Sequence, residues 1–224
     1  MFLRSDKLAS GVLRSVPGLL FGMLLAALNP VAAATPTLLT DLALVDALRS
    51  GGYNIYFRHV STDWSQSDNL RQADDWLSCD PQQMRQLSEG GRTEAVAIGN
   101  AIRKLGVPID EVLASPYCRT VETARLMELG KVIASTAVMN LRAAEYFKGR
   151  EAIVATAQAL LATPPPAGGN RVIVAHGNVA STATPAYPAE GEGLVFKPED
   201  DGSFILVGRV EPGQWAELLA AVAD

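Results

Sequence analysis

The order of apolar runs and helical periodicities predicts a three-layer α/β/α fold, with a mostly parallel central sheet, helices on both faces and a C-terminal β-hairpin. Three observations carry this. From residue 41 onward short β-branched runs alternate with amphipathic helical stretches, the pattern of parallel strands joined by helical crossovers. The run 171-RVIVAHG-177 is nearly uninterrupted in its apolar character, as a strand covered on both faces must be. The rhythm then breaks: 194-LVFKP-198 and 203-SFILVGRV-210 flank Asp200-Asp201-Gly202, a turn signal between antiparallel strands. A chain of 224 residues suits one such domain.

The first 34 residues read apart from it. Arg4, Lys7 and Arg14 form a basic region, Val16 to Leu28 an apolar one, and 31-VAAAT-35 offers small residues, Ala32 and Ala34, where a signal peptidase needs them. The expectation is a signal peptide over 1–34 and a domain over 35–224 that is exported, periplasmic or secreted. A membrane anchor is the alternative; the apolar run is broken by Pro17 and Gly18 and is shorter than the roughly 20 residues that span a bilayer, so no stable membrane insertion is expected after cleavage.

Next, 41-DLALVDALRSGG-52 reads as a helix with Asp41 as N-cap, Leu42, Val45 and Leu48 on one face and a Gly-Gly stop. The first strand is 54-NIYF-57. A long polar segment from Val60 to Gln86 carries Trp64 and Trp76 with Asp63, Asp68, Asp74, Asp75 and Asp80, and a connection of that length points to function or local structure. Ser88 opens a helix whose inner face is Ala95, Ile98, Ile102 and Leu105. Then come a strand at 111-EVLAS-115, a helix at 119-RTVETARLMELG-130, a strand at 131-KVIAS-135 and a helix at 151-EAIVATAQALLA-162. A last helix covers Gln214 to Val222.

The formal charge is −5. Removing the leader's three cations and Asp6 takes away +2 and leaves −7, which argues against nucleic acid or an anionic membrane surface as partner, since both need a basic face. Cys79 and Cys118, the only cysteines, permit one disulfide; two free thiols are the alternative.

Ligands of open α/β sheets sit beyond the carboxyl ends of the strands. Three strands deliver reactive groups there: Arg58-His59 after the first, Arg119 beyond 111-EVLAS-115, and His176-Gly177 after the last long one, so both histidines of the protein share one edge. Singly, each has a bland reading as a capping or solvated residue. Together, two Arg and two His near a helix start suit a tetrahedral dianion. Zinc fits poorly, because two Arg would repel it. The Cys-x5-Arg spacing of 79-CDPQQMR-85 lacks the preceding strand and the phosphate-wrapping glycines, so Cys79 reads as structural.

The segment 58-RHVSTDWS-65 resembles the Arg-His-Gly-x-Thr motif of the histidine phosphatase superfamily, the phosphoglycerate mutase-like fold, and 87-LSEGGR-92, 115-SPYCRTVETA-124 and 174-VAHGN-178 are similar to its further motifs in the same order. The nearest likeness is to exported bacterial members. The resemblance implies a phosphomonoesterase in which His59 is the nucleophile and forms a phosphohistidine. It implies that Arg58, Arg119 and His176 hold the phosphate, that Thr62 and Asn178 add hydrogen bonds, and that neither metal nor cofactor is needed. A small-molecule phosphoester or an envelope glycolipid phosphate would be the substrate. Two departures stand out. Val60 replaces the usual Gly, where a positive φ would be costly. Ala143 stands where the family has its proton-donating Glu, leaving Glu145, two residues on, or Asp63 as general acid. The alternative to an enzyme is a non-catalytic phosphate-ligand binder that keeps the cationic pocket.

Overall fold

The computed structural model describes residues 38–223, so the signal peptide expected over 1–34 lies outside the described residues. Six strands form one sheet: β1 (Asn54–Arg58), β2 (Ile109–Ala114), β3 (Val132–Ala134), β4 (Asn170–Ala175), β5 (Gly193–Pro198) and β6 (Phe204–Val210). Their order is β3-β2-β4-β1-β5-β6. The first four are parallel; β5 adds antiparallel to β1, and β6 pairs antiparallel with β5 as the predicted hairpin. The helices are α1 (Asp41–Ser50), α2 (Glu89–Lys104), α3 (Cys118–Met127), α4 (Arg150–Ala162), α5 (Gly177–Ala183) and α6 (Gln214–Ala223). None of the described helices is long and apolar enough to cross a membrane.

Alternation along the strands sends side chains into two cores. Ile55, Phe57, Val112, Val172 and Val174 pack with Leu44, Leu48, Ile98, Ile102, Met127 and Trp215, under α1, α2, α3 and α6. On the other face, Tyr56, Ile173, Ala175, Leu194 and Phe196 meet Ile153, Ala157 and Leu161 of α4 and Val179, Ala180 and Ala183 of α5. Coverage on both faces is why β4 reads as a continuous apolar run. In α2 the inner face is the predicted one, with Ala95, Ile98, Ile102 and Leu105 all buried. Elsewhere the periodicity misleads. Thr40, not Asp41, is the N-cap of α1, and Leu44 is buried while Leu42 is half exposed. α3 stops at Met127 because Glu128 turns left-handed, two residues before the Gly expected to end it. α5 is built largely from small residues, 177-GNVASTA-183, and gave no apolar periodicity to read.

The sheet has two dissimilar polar edges. Before the strands, buried Asn170 donates to the carbonyls of Leu48 and Pro108 and accepts from the Tyr53 amide. Beside it Arg171 bridges Glu111, Asn54 and the Thr163 carbonyl. These bonds tie strand starts to helix ends. At the opposite edge lie both histidines.

α2 is pressed against that functional edge. Ser88 accepts from the Gly91 amide as N-cap, and its hydroxyl donates to the Ser61 carbonyl. A Cβ on Gly91 would stand 2.1 Å from that same carbonyl oxygen, so only glycine lets the helix approach the segment that follows His59. Gly91→Ala is therefore expected to destabilise the protein by about 1–3 kcal/mol through overpacking, although alanine gains roughly 1 kcal/mol in helix propensity. The urea midpoint is the readout; a rise would contradict the close approach.

Candidate active site

Strand register assembles the site. Arg58 of β1 pairs with Ala175 of β4, so the next residues, His59 and His176, leave the sheet side by side with ring centroids 5.7 Å apart. The His59 amide donates to the Ala175 carbonyl, and the Ser115 amide, after β2, donates to the Val174 carbonyl. Ser115, His59 and His176 thus sit on one hydrogen-bonded ledge. With Arg58, Arg119, Asn178 and Gly177 the two histidines line a cavity of about 270 Å³.

Each ring is oriented by a neighbour. His59 Nδ1 is 3.0 Å from the Val60 carbonyl, which only accepts, so that nitrogen carries the proton and Nε2 keeps its lone pair. Val60 itself is outside the left-handed region and fully buried in the core, so the β-branched residue strains nothing there. His176 Nε2 lies 2.9 Å from Ser115 Oγ, while its Nδ1 is buried without a partner. When Ser115 donates to Nε2, Nδ1–H is left as a donor for an anion. Tyr56 locks the His176 backbone: its hydroxyl donates to the His176 carbonyl at 2.7 Å and accepts from the His176 amide at 3.1 Å.

Both histidines are almost fully buried. Burial first, then the charge of Arg119, holds the His59 imidazole well below its ordinary range, and burial, Arg119 and His59 do the same to His176. Neutral rings surrounded by guanidinium groups suit a nucleophile and a hydrogen-bond donor.

The arginines have internal counter-charges. Arg119 and Asp68, each 1 % exposed, form a two-pronged pair at 2.9 and 3.1 Å. Arg58 donates to Glu190 at 3.2 Å, to the Tyr187 hydroxyl and to the Pro188 carbonyl. The disulfide joining Cys79 to Cys118, with Cα atoms 5.4 Å apart, ties the 60–86 segment to the start of α3 immediately before Arg119. Several buried nitrogens of the cavity residues have no partner, among them Arg119 Nε, Arg85 Nε and His176 Nδ1. Such orphans are what a bound oxyanion would satisfy.

Three expectations require correction. Thr62 does not line this cavity; its hydroxyl donates to Glu190 at 2.9 Å, so it supports the partner of Arg58. Glu145 is exposed on a short 3-10 turn and stays outside the cavity, with Ala143 buried beneath it. Asp63 faces a larger neighbouring groove, and hydrogen bonds from Ser65 hold its carboxyl below the usual range, the opposite of an acid that donates. Of the two tryptophans in the 60–86 segment, Trp76 is core, packed on Tyr146 and Phe147, while Trp64 is 68 % exposed at the mouth.

Sequence reasoning missed Arg85, Arg142, Asn140 and Tyr187, all in the cavity wall, and the pairing roles of Asp68 and Glu190. They come from segments without periodicity. An Asp or Glu opposite each motif arginine is the one signal that charge balance alone would have suggested.

The model of the histidine phosphatase superfamily (branch 1) matches residues 55–148. No curated protein matches the sequence. Among solved structures, the protein histidine phosphatase SixA complexed with tungstate is similar at 15 % identity and TM-score 0.50, over 72 % of this chain and 98 % of that one. A mycobacterial glucosyl-3-phosphoglycerate phosphatase is similar at 17 % identity and TM-score 0.51, over 72 % of this chain and all of that one. The family match supports the superfamily, and the two structures show the fold.

Two outcomes are expected. An unfolded His titrates near pH 6.5, whereas both native rings stay neutral lower down, so unfolding takes up protons as the pH falls and stability drops below about pH 7. Each ring contributes a loss of about 1.4 kcal/mol between roughly pH 7.5 and 5.5. Urea midpoints across that range should flatten in His176→Asn; an unchanged slope would contradict the neutral ring. Tyr56→Phe leaves the buried His176 amide unpaired and its carbonyl with the Ala180 amide alone, so it should cost about 1–3 kcal/mol and lower the affinity for inorganic phosphate by calorimetry. Wild-type affinity with reduced stability would make Tyr56 a core residue only.

Proposed function

From its likeness to the histidine phosphatase superfamily, we propose that this chain is an exported phosphatase that hydrolyses a phosphate monoester through a phosphohistidine on His59. The observation that carries the reading is the pair of strand ends: two buried, neutral histidines side by side, with Arg58 and Arg119 in the same cavity wall and unpartnered donors around them.

The chemistry follows from the geometry. His59 Nε2, freed as a lone pair by the bond from Nδ1–H to the Val60 carbonyl, attacks phosphorus in line with the leaving oxygen. Arg58, Arg119 and His176 Nδ1–H stabilise charge on the non-bridging oxygens, with Asn178 beside them. Water then attacks the phosphohistidine and returns the electron pair to the imidazole. Asp68 and Glu190 hold the two guanidinium groups in place until an anion arrives.

Export is supported by the basic and apolar regions of the leader and by the Cys79–Cys118 disulfide, which suits an oxidising compartment. A small phosphorylated substrate is supported by the modest cavity, and a protein of the same fold is a glucosyl-3-phosphoglycerate phosphatase; an envelope glycolipid phosphate fits the same chemistry at its head. The position of Glu145 outside the cavity favours a second reading, a phosphate-ligand binder without turnover.

Phosphate release from a broad panel of phosphoesters, including an activated aryl phosphate, separates the two. Wild type should release phosphate from at least one, and His59→Ala should lose that activity by a factor on the order of a thousand or more. No release from any compound, with inorganic phosphate retained tightly, would overturn the enzyme and leave the binder.

A further inference from the structure

The cavity is unevenly furnished. His59, His176 and Arg119 form its floor, each at most 3 % exposed, while Trp64, Arg142 and Tyr187 stand at its mouth. In-line attack by His59 breaks the bond on the far side of phosphorus, so the leaving group points outward, toward the mouth. Two arginines wait there. Arg142 is 61 % exposed, and Arg85 stacks on the Trp64 ring at 4.0 Å with its Nε buried and unpartnered.

Charge at the mouth is left over. Asp68 and Glu190 offset Arg119 and Arg58. Among the described residues, Arg85 has no carboxylate within ion-pair distance, and Arg142 reaches only Asp68, at 3.8 Å, which Arg119 already holds. A carboxyl group free to protonate a leaving oxygen is missing from the described lining: Asp68 accepts from Arg119 through both oxygens, and Glu145 and Asp63 lie elsewhere. An alkoxide is about as basic as hydroxide and leaves badly without a proton. A phosphate group, whose last proton titrates near pH 6, leaves unaided.

We propose that the preferred substrate is an organic diphosphate, whose terminal phosphoryl group passes to His59 while the inner phosphate departs onto Arg85 and Arg142. The inference rests on the phosphatase reading above and goes beyond it by placing the favoured bond at a phosphoanhydride. The His59 Nε2–phosphorus bond forms as the bridging P–O bond breaks, and the electron pair leaves with the organic monophosphate. Solvent water then attacks the phosphohistidine, the N–P pair returns to His59, one water proton stays on inorganic phosphate and the other goes to solvent.

Butyl diphosphate and butyl phosphate, which differ by one phosphoryl group, test this alongside 4-nitrophenyl phosphate, with wild type, His59→Ala, Arg142→Ala and Arg142→Lys. Wild-type kcat/KM for the diphosphate should exceed that for butyl phosphate by about a hundredfold or more. Arg142→Ala should shrink that ratio by about tenfold or more, chiefly in kcat, and Arg142→Lys should restore part of it. Butyl phosphate cleaved as fast as the diphosphate, or an Arg142→Ala loss equal for both, would overturn the proposal. His59-dependent release from the aryl phosphate without release from the diphosphate would also overturn it while leaving the phosphatase intact. No His59-dependent release from any of the three would overturn both.

Discussion

Parallel pairing of β1 with β4 at the centre of the sheet is the constraint on which the rest depends. Because Arg58 stands opposite Ala175, the chain delivers one histidine from each strand to the same ledge without any loop having to close the distance. The same central position buries both rings, and burial keeps them neutral among four arginines. A one-residue slip would turn His59 to the other face and uncouple it from His176. The polar latch at the opposite edge, Asn54, Asn170 and Arg171, pins that register by tying strand starts to helix ends.

Cations in such numbers would repel one another in an empty cavity. Asp68 and Glu190 answer this from two different segments, and each is held in turn, Glu190 by Thr62 and Asp68 by the Arg85 amide. The Cys79–Cys118 disulfide fastens the Asp68 segment beside Arg119, so the long polar connection after β1 behaves as a wall of the site rather than a free loop. Gly91 and Ser88 brace the other side through the Ser61 carbonyl.

Legibility in the sequence followed the range of the interactions. The strands, the hairpin and the shared edge of His59 and His176 were readable because apolar runs end where the sheet ends. The inner face of α2 was readable because its burial is local and periodic. Thr62 and Glu145 were misplaced for a common reason: their surroundings are set by long-range contacts, Thr62 by Glu190 and the Glu145 turn by the packing of Leu141 and Ala143. Arg85 and Arg142 reach the mouth from irregular segments, where neither periodicity nor turn chemistry forecasts direction. Val60 looked costly only under the assumption of a positive φ; its side chain fills the core instead.

Nucleophilic attack by His59 is the central claim, and trapping the phosphoenzyme tests it most directly. Rapid acid-free quenching during turnover of an aryl phosphate, followed by peptide mass spectrometry, should find one phosphoryl group on the peptide containing His59, stable to alkali and lost in acid. None should appear in His59→Ala. A turning-over enzyme that carries no phosphoryl group on His59, or carries it on another residue, would contradict the assignment.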